Sequence, residues 1–216
     1  MSHHFDPVAL REYDIRGIVG KTLGEADAYA IGRTFGTIVR RDGGKCVAVG
    51  YDGRLSSPML EAALLKGLTE SGIDIVRVGL GPTPMLYYAE SVLDGVDGGI
   101  QITGSHNPAE HNGFKIMIGG ETQRGAGILR LRERIEHALF HEGQGSYRVT
   151  EIDADYIKAV ADDVLVDGGV RSAATLATGI GGALGKLENG YSRSYGLTMV
   201  IGVVVVGAVL ILGRLA

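Results

Sequence analysis

The sequence predicts an α/β fold: a mixed, mainly parallel sheet with helices on both faces, followed by a C-terminal helical segment with one transmembrane helix. Three observations predict it. Short apolar runs alternate with stretches whose apolar residues recur at helical spacing, the pattern of strand–helix–strand units. Gly, Pro and Asn mark the junctions between them. The chain closes on residues 197–213, an almost unbroken apolar run without a charge.

From residue 25 to 41, Ala28, Ile31, Phe35 and Ile38 fall on one helical face, and Asp42-Gly43-Gly44 ends the pattern. Residues 46–51 are short, apolar and closed by Asp52-Gly53, which reads as a buried strand. Ser57-Pro58 then opens a second helix through Leu60, Leu64, Leu65 and Leu68 to Gly72. Residues 73–78 read as a strand, Pro82-Thr83-Pro84 as a turn into a short helix ending near Ser91, and 99–103 as a third strand. Asn112-Gly113 reads as a turn into a strand over 114–118, antiparallel to its neighbours. Residues 127–140 form a helix with Ile128, Leu131, Ile135 and Leu139 as its buried stripe. A Gly- and Ser-rich linker around 143–146 precedes a last helix starting at 153–160.

A chain of 216 residues suits one well-buried domain plus an appendage. Net charge is −4, but residues 1–163 carry 17 Lys and Arg against 23 Asp and Glu, whereas 164–216 carry four against two. A mildly acidic body excludes a nucleic-acid partner, which would need clustered cations. Cys46 is alone, so no internal disulfide forms, and its apolar strand makes it an inert small hydrophobe. His3 and His4 read as a free terminus, since two adjacent histidines are too few for a closed metal site.

Chemistry concentrates in Ile102-Thr103-Gly104-Ser105-His106-Asn107-Pro108, followed by Asn112-Gly113-Phe114-Lys115. Asn107-Pro108 breaks the preceding strand, so Ser105 should stand on a loop at the strand's end. There, in parallel sheets, ligands bind. Asp52-Gly53-Arg54 and the Pro82 turn should converge on the same edge. Serine needs a strong field or a base to act as a nucleophile, and His106, Lys115, Arg16 and Arg54 could supply a cationic one. Local spacing leaves open a plain turn serine beside Asn-Pro. A serine hydrolase is disfavoured because there is no Gly-x-Ser-x-Gly elbow.

Four segments together resemble the first domain of the α-D-phosphohexomutases, most closely the bacterial phosphomannomutase/phosphoglucomutase branch. They are Glu12-Tyr13-Asp14-Ile15-Arg16-Gly17, Gly50-Tyr51-Asp52-Gly53-Arg54 with Ser56-Ser57, Gly81-Pro82-Thr83-Pro84, and the Ser105 loop with Asn112 to Lys115. The resemblance covers about residues 6–160. It implies a phosphorylated Ser105 that gives its phosphate to a hexose 1- or 6-phosphate, with the bisphosphate intermediate reorienting before the other phosphate returns. It implies Mg2+ bound through the phosphate on Ser105, a hard cation for oxygen ligands. Carried over residue by residue, Ser105, His106, Lys115 and Arg16 are the catalytic candidates. Lys115 would transfer protons, and His106 and Arg16 would position substrate and charge. Arg54, Ser56 and Asn107 are the substrate-binding candidates, with Arg54 and Ser56 equally able to brace the loops. Glucose and mannose phosphates both stay open as substrates.

The family's metal-carboxylate loop and later sugar-recognition domains have no counterpart after Asp163, so the 216 residues alone are expected to show little turnover. The expected organisation is a phosphohexomutase-like domain over 1–150, a linker or start of a second domain over 151–163, a Gly/Ala-rich helical segment over 164–196 and the transmembrane helix over 197–213. At helical rise, 17 residues span about 25 Å, the short end for crossing a bilayer. Tyr191, Tyr195, Arg193 and Arg214 would flank it as interfacial anchors. Residues 164–216 resemble, on softer motifs, the C-terminal end of the large antiporter-like membrane-arm subunit of respiratory complex I, without that subunit's ion-path lysines and glutamates. Two such ends suggest a fusion: a cytoplasmic sugar-phosphate domain, tail-anchored at the cytoplasmic face of a membrane. The alternative functions are a membrane-anchored interaction module, or a fragment of that membrane subunit fused to a non-catalytic phosphosugar-binding domain. Partners would then be hexose phosphates, the missing mutase domains or a membrane complex.

Overall fold

The computed structural model describes residues 3–11 and 14–162, together with residues 168, 175, 178 and 203. The expected helical segment over 164–196 and transmembrane helix over 197–213 therefore lie, save those single residues, outside the described residues. Among the described residues no helix is long and apolar enough to cross a membrane. Backbone contacts divide the chain into a unit over residues 1–156 and a second over 157–216.

The elements run β1 (Ile15–Ile18), α1 (Glu25–Arg41), β2 (Cys46–Tyr51), α2 (Ser57–Glu70), β3 (Asp74–Leu80), α3 (Thr83–Val92), β4 (Gly98–Ile102), β5 (His111–Ile118), β6 (Glu121–Thr122), α4 (Ala126–Glu136), β7 (Tyr147–Val149) and α5 (Asp153–Ala161). The strands form one sheet in the order β1-β5-β4-β2-β3-β7, with β6 paired to β5. β4, β2, β3 and β7 are parallel, and β5 runs antiparallel between β4 and β1. The expected mixed, mainly parallel sheet is thus observed.

Alternation along the strands decides which helix covers which face. Val47 and Val49 of β2, Ile100 and Ile102 of β4, and Phe114 and Ile116 of β5 pack with α1, α2 and α4 in the larger core. Ala48, Val76 and Val78 face the other way, onto Met85, Leu86 and Ala89 of α3. Helices therefore lie on both faces, and the parallel strands' carboxyl ends are left as an open rim.

Five sequence expectations need correction. Asn112-Gly113 is no turn; both residues lie inside β5. Asn112 is fully buried and its amide is satisfied, donating to Ser56 Oγ and Ser57 Oγ at 2.9 Å each and accepting from Gly113 N. Gly113 is there for close approach: a Cβ would stand 2.2 Å from the carbonyl oxygen of Ile15 on β1. α4 ends at Glu136, because Ala138 takes a left-handed φ of 51° that stops the helix and leaves Leu139 48% exposed instead of in the stripe.

 With Ala138 at φ 51°, the chain turns back and its amide closes on Ile135 O at 3.1 Å. β1, β6 and β7 were not expected, and β7 follows the anticipated linker directly; each is two to four residues long, too short to show a period. His3 is not a free terminus: its Nε2 lies 2.7 Å from Asp27 Oδ1 and its ring stands edge-on to Phe5. Cys46 is only half-buried, at the open start of β2, although burial still pushes its thiol pKa up.

Candidate active site

β4 ends at Ile102, and the chain leaves the rim through Thr103-Gly104-Ser105. Ser105 is exposed, as the sequence predicts, and takes a left-handed φ of 52°. For a residue with a Cβ that conformation costs about 1–3 kcal/mol and persists only where neighbours enforce it. The neighbours are visible. Ser105 N donates to Thr103 Oγ1 at 2.8 Å, and Asn107 N closes the turn on Gly104 O at 3.0 Å.

Arg54 reaches across from the β2–α2 loop and spends every donor nearby. Its Nη1 donates to Pro108 O (2.6 Å) and His111 O (2.9 Å), its Nη2 to Ser105 O (3.1 Å) and Asn107 O (2.7 Å). Its Nε faces Asp52 Oδ2 at 3.2 Å. Gly104 makes room for this packing, since a Cβ there would stand 2.2 Å from the guanidinium carbon. Of the two roles the sequence left open for Arg54, the observed contacts are those of a brace.

Asp52 is the counterpart that sequence reasoning missed as a site residue. Its Oδ1 accepts from Ser57 Oγ (2.7 Å) and Arg54 N (3.1 Å), and its Oδ2 accepts from Gly104 N (3.0 Å). Burial works against its charge, but hydrogen bonds from Ser57, Thr103, Arg54 N and Gly104 N prevail and hold its pKa below the usual carboxylate value. The available signal was its position two residues before Arg54, where an Asp side chain caps the following turn.

Arg16, on β1, is buried and lies beneath the loop. Its Nη1 donates to Gly104 O at 3.1 Å and its Nη2 to Asp14 Oδ2 at 2.5 Å. Turning the Asn107 amide so that its oxygen faces Arg16 brings that oxygen 2.6 Å from Nη1 and 3.2 Å from Nε. Both arginines near Ser105 thus have a carboxylate partner and a structural task. His106 is exposed on the loop. Lys115 is half-buried on β5 opposite Gln101, and has no ion-pair partner among the described residues. Because Arg16 pairs with Gly113, Arg16 and Lys115 are diagonal neighbours on one face of the sheet.

A cleft of about 670 Å3 opens here, lined by Asp52, Arg54, Leu55, Ser56, Ser105 and Asn107 among others. Ser105 and the three substrate-binding candidates therefore share one opening, while Arg16 supports the loop through Gly104 O and Lys115 stands apart on the strand. A cation finds little to hold it: among the described residues no group of three or more His, Cys, Asp or Glu side chains is placed to bind a metal. Of the two carboxylates that line the cleft, Asp52 and Glu110, Asp52 already accepts protein hydrogen bonds at both oxygens.

The family model described as phosphoglucomutase/phosphomannomutase, alpha/beta/alpha domain I, matches residues 8–142. A phosphomannomutase/phosphoglucomutase of Pseudomonas aeruginosa is 44% identical over 174 residues, covering 81% of this chain and 37% of that protein. A phosphoglucomutase of Neisseria meningitidis is 42% identical over 183 residues, covering 83% and 40%. The crystal structure of a phosphoglucomutase/phosphomannomutase family protein from Burkholderia thailandensis superposes with a TM-score of 0.70 at 44% identity, over 74% of this chain and 36% of that one. This chain thus spans about two-fifths or less of the length of these relatives. None of these likenesses shows the complex I resemblance of residues 164–216. With the match over residues 8–142 spanning more than half of its length, the chain belongs to the phosphoglucomutase/phosphomannomutase family.

Proposed function

We propose that this chain carries the phosphoacceptor half of a hexose-phosphate mutase, with Ser105 as the residue that holds the transferable phosphoryl group. The observation that carries this is an exposed serine hydroxyl at a sheet's carboxyl rim, on a turn whose backbone is fixed by two arginines and an aspartate. Such fixing supplies the positioning that phosphoryl transfer chiefly requires. In the forward step the Oγ–P bond of phosphoserine breaks as a sugar hydroxyl oxygen forms its own bond to phosphorus. The hydroxyl proton leaves to a base, and Ser105 Oγ keeps the electron pair of the broken bond. The return step reverses these roles at the other end of the sugar.

Lys115 is the proposed proton carrier, being half-buried and free of a carboxylate partner among the described residues. His106 and Arg16 are proposed to position the phosphate, His106 from the exposed loop and Arg16 from beneath it. Ser56 and Asn107 line the cleft and are the proposed contacts to the sugar phosphate. Substrates are proposed to be glucose or mannose phosphates, the sugars in the relatives' names. For Mg2+, the proposed ligand is the phosphate on Ser105; no group of three or more His, Cys, Asp or Glu among the described residues is placed to hold the ion, and no step is assigned to it. Residues 197–213 carry no charge, and we propose membrane association through them as a separate property. Recovery of all the expressed chain in a detergent-free high-speed supernatant would remove it.

The test of the serine is transfer of labelled phosphate from a hexose 1,6-bisphosphate to the full chain. Label on the wild type and none on Ser105→Ala is expected. Equal label on both proteins would place the acceptor elsewhere.

A further inference from the structure

We infer that Asp52 is a positioning residue for phosphoryl transfer, setting the backbone of the phosphoacceptor serine through one direct amide contact, one relayed through Thr103, and its grip on Arg54. This rests on the proposed role of Ser105 and adds the device that aims it.

The amides of the loop show how. Gly104 N donates directly to Asp52 Oδ2 at 3.0 Å. Ser105 N donates to Thr103 Oγ1 at 2.8 Å, which leaves the one hydrogen of that hydroxyl to point at Asp52, whose pKa Thr103 helps to hold down. A hydroxyl has one hydrogen, so giving it to the carboxylate leaves a lone pair facing Ser105 N. An ionised carboxylate is acceptor-only, which fixes the direction of both contacts. On the carbonyl side, Arg54 takes the oxygens of Ser105, Asn107, Pro108 and His111, and Asp52 takes Arg54 N and Nε. Donors and acceptors of the turn are thus tied to one ion pair, and Ser105 keeps its left-handed φ.

A second consequence follows for phosphate binding. Backbone amides often cradle phosphate, but those of Gly104 and Ser105 are engaged by Asp52 and Thr103. The phosphate on Ser105 therefore cannot rest on those two amides, and His106, exposed on the same loop, is a basic side chain there with no carboxylate partner among the described residues. Asp52 is further anchored from below, because Ser57 Oγ donates to it while accepting from the buried amide of Asn112. The Asn112 that looks like a turn signal is the last support of the serine loop.

The test uses the full chain and compares the wild type with Asp52→Asn and Thr103→Val by amide hydrogen exchange and by the rate of labelling from hexose 1,6-bisphosphate. In the wild type both loop amides should exchange at least tenfold more slowly than the His106 amide, despite the loop's exposure. Asp52→Asn should release both amides, Thr103→Val only that of Ser105. Each should slow labelling about tenfold or more while labelled Ser105 remains the product. Wild-type exchange and labelling in folded Asp52→Asn would overturn the inference, as would unaltered Ser105 exchange in Thr103→Val. A wild type with protected amides but no label would instead overturn the role of Ser105 and leave the Asp52 geometry standing.

Discussion

Two arginines, Arg33 buried and Arg54 half-buried, pin loops at opposite ends of the parallel strands, and what they grip differs. Arg54, at the carboxyl rim, is satisfied almost wholly by backbone carbonyls of the Ser105 loop. Arg33, on α1, works where α2 hands over to β3. Its Nη1 lies 3.3 Å from both Tyr29 OH and Glu70 Oε2, its Nη2 bonds His141 O and Glu142 Oε1, and its guanidinium covers the Phe140 ring at 5.2 Å. Burial disfavours its charge, and hydrogen bonds to Glu142 and Tyr29 more than restore it. The Arg33 hub joins side chains and closes the structure. The Arg54 hub joins backbone to backbone and leaves an exposed hydroxyl at its centre. A guanidinium is suited to both tasks, and what it grips decides which one it performs.

The difference can be broken or sharpened by substitution. The largest effect is expected for Ser105→Ala, which should bring protein-bound phosphate to background with no change in the denaturant midpoint. Next, Arg54→Ala should cut the labelling rate about tenfold or more. Arg33→Ala should leave the labelling of folded protein unchanged and lower stability by about 1–3 kcal/mol in urea titrations, since it strips a buried side chain from its partners. Equal effects of the two arginines on labelling would erase the distinction.

A smaller effect concerns pH. The folded-state pKa of Asp52 is lowered, so its contribution to stability is fully present above the unfolded carboxylate value of about 4 and is lost as pH falls through the folded value. Stability curves of wild type and Asp52→Asn should therefore run apart at neutral pH and converge below about pH 4. A constant gap would mean that the carboxylate's charge is not what holds the loop. The smallest effect is expected for Glu142→Gln, whose side chain is 81% exposed: a stability change within about 0.5 kcal/mol.

Much of the fold is legible in the residues. Period and punctuation give α1, β2, α2 and α3 nearly to the residue, because each is long enough to show its spacing or is closed by a clear stop. β1 and β7 are too short for that, and they exist through pairing with β5 and β3. Asn112-Gly113 misleads because the features that favour turns, a small polar side chain and a missing Cβ, here serve a buried amide network and a close strand contact. At the site, Ser105 is recognisable from its loop and motif. Arg16 and Arg54 read as free cations, however, because a sequence does not show that Asp14 and Asp52 fold beside them. Hydrogen-bond directions, and with them the roles of Asp52 and Thr103, become visible only once the loops meet.

The most direct measurement is phosphopeptide mapping of the purified full chain by mass spectrometry after incubation with a hexose 1,6-bisphosphate. One phosphoryl group on the peptide containing Ser105, localised to that serine by fragmentation, is the expected result. An unmodified Ser105 peptide, or phosphate localised to another residue, would contradict it.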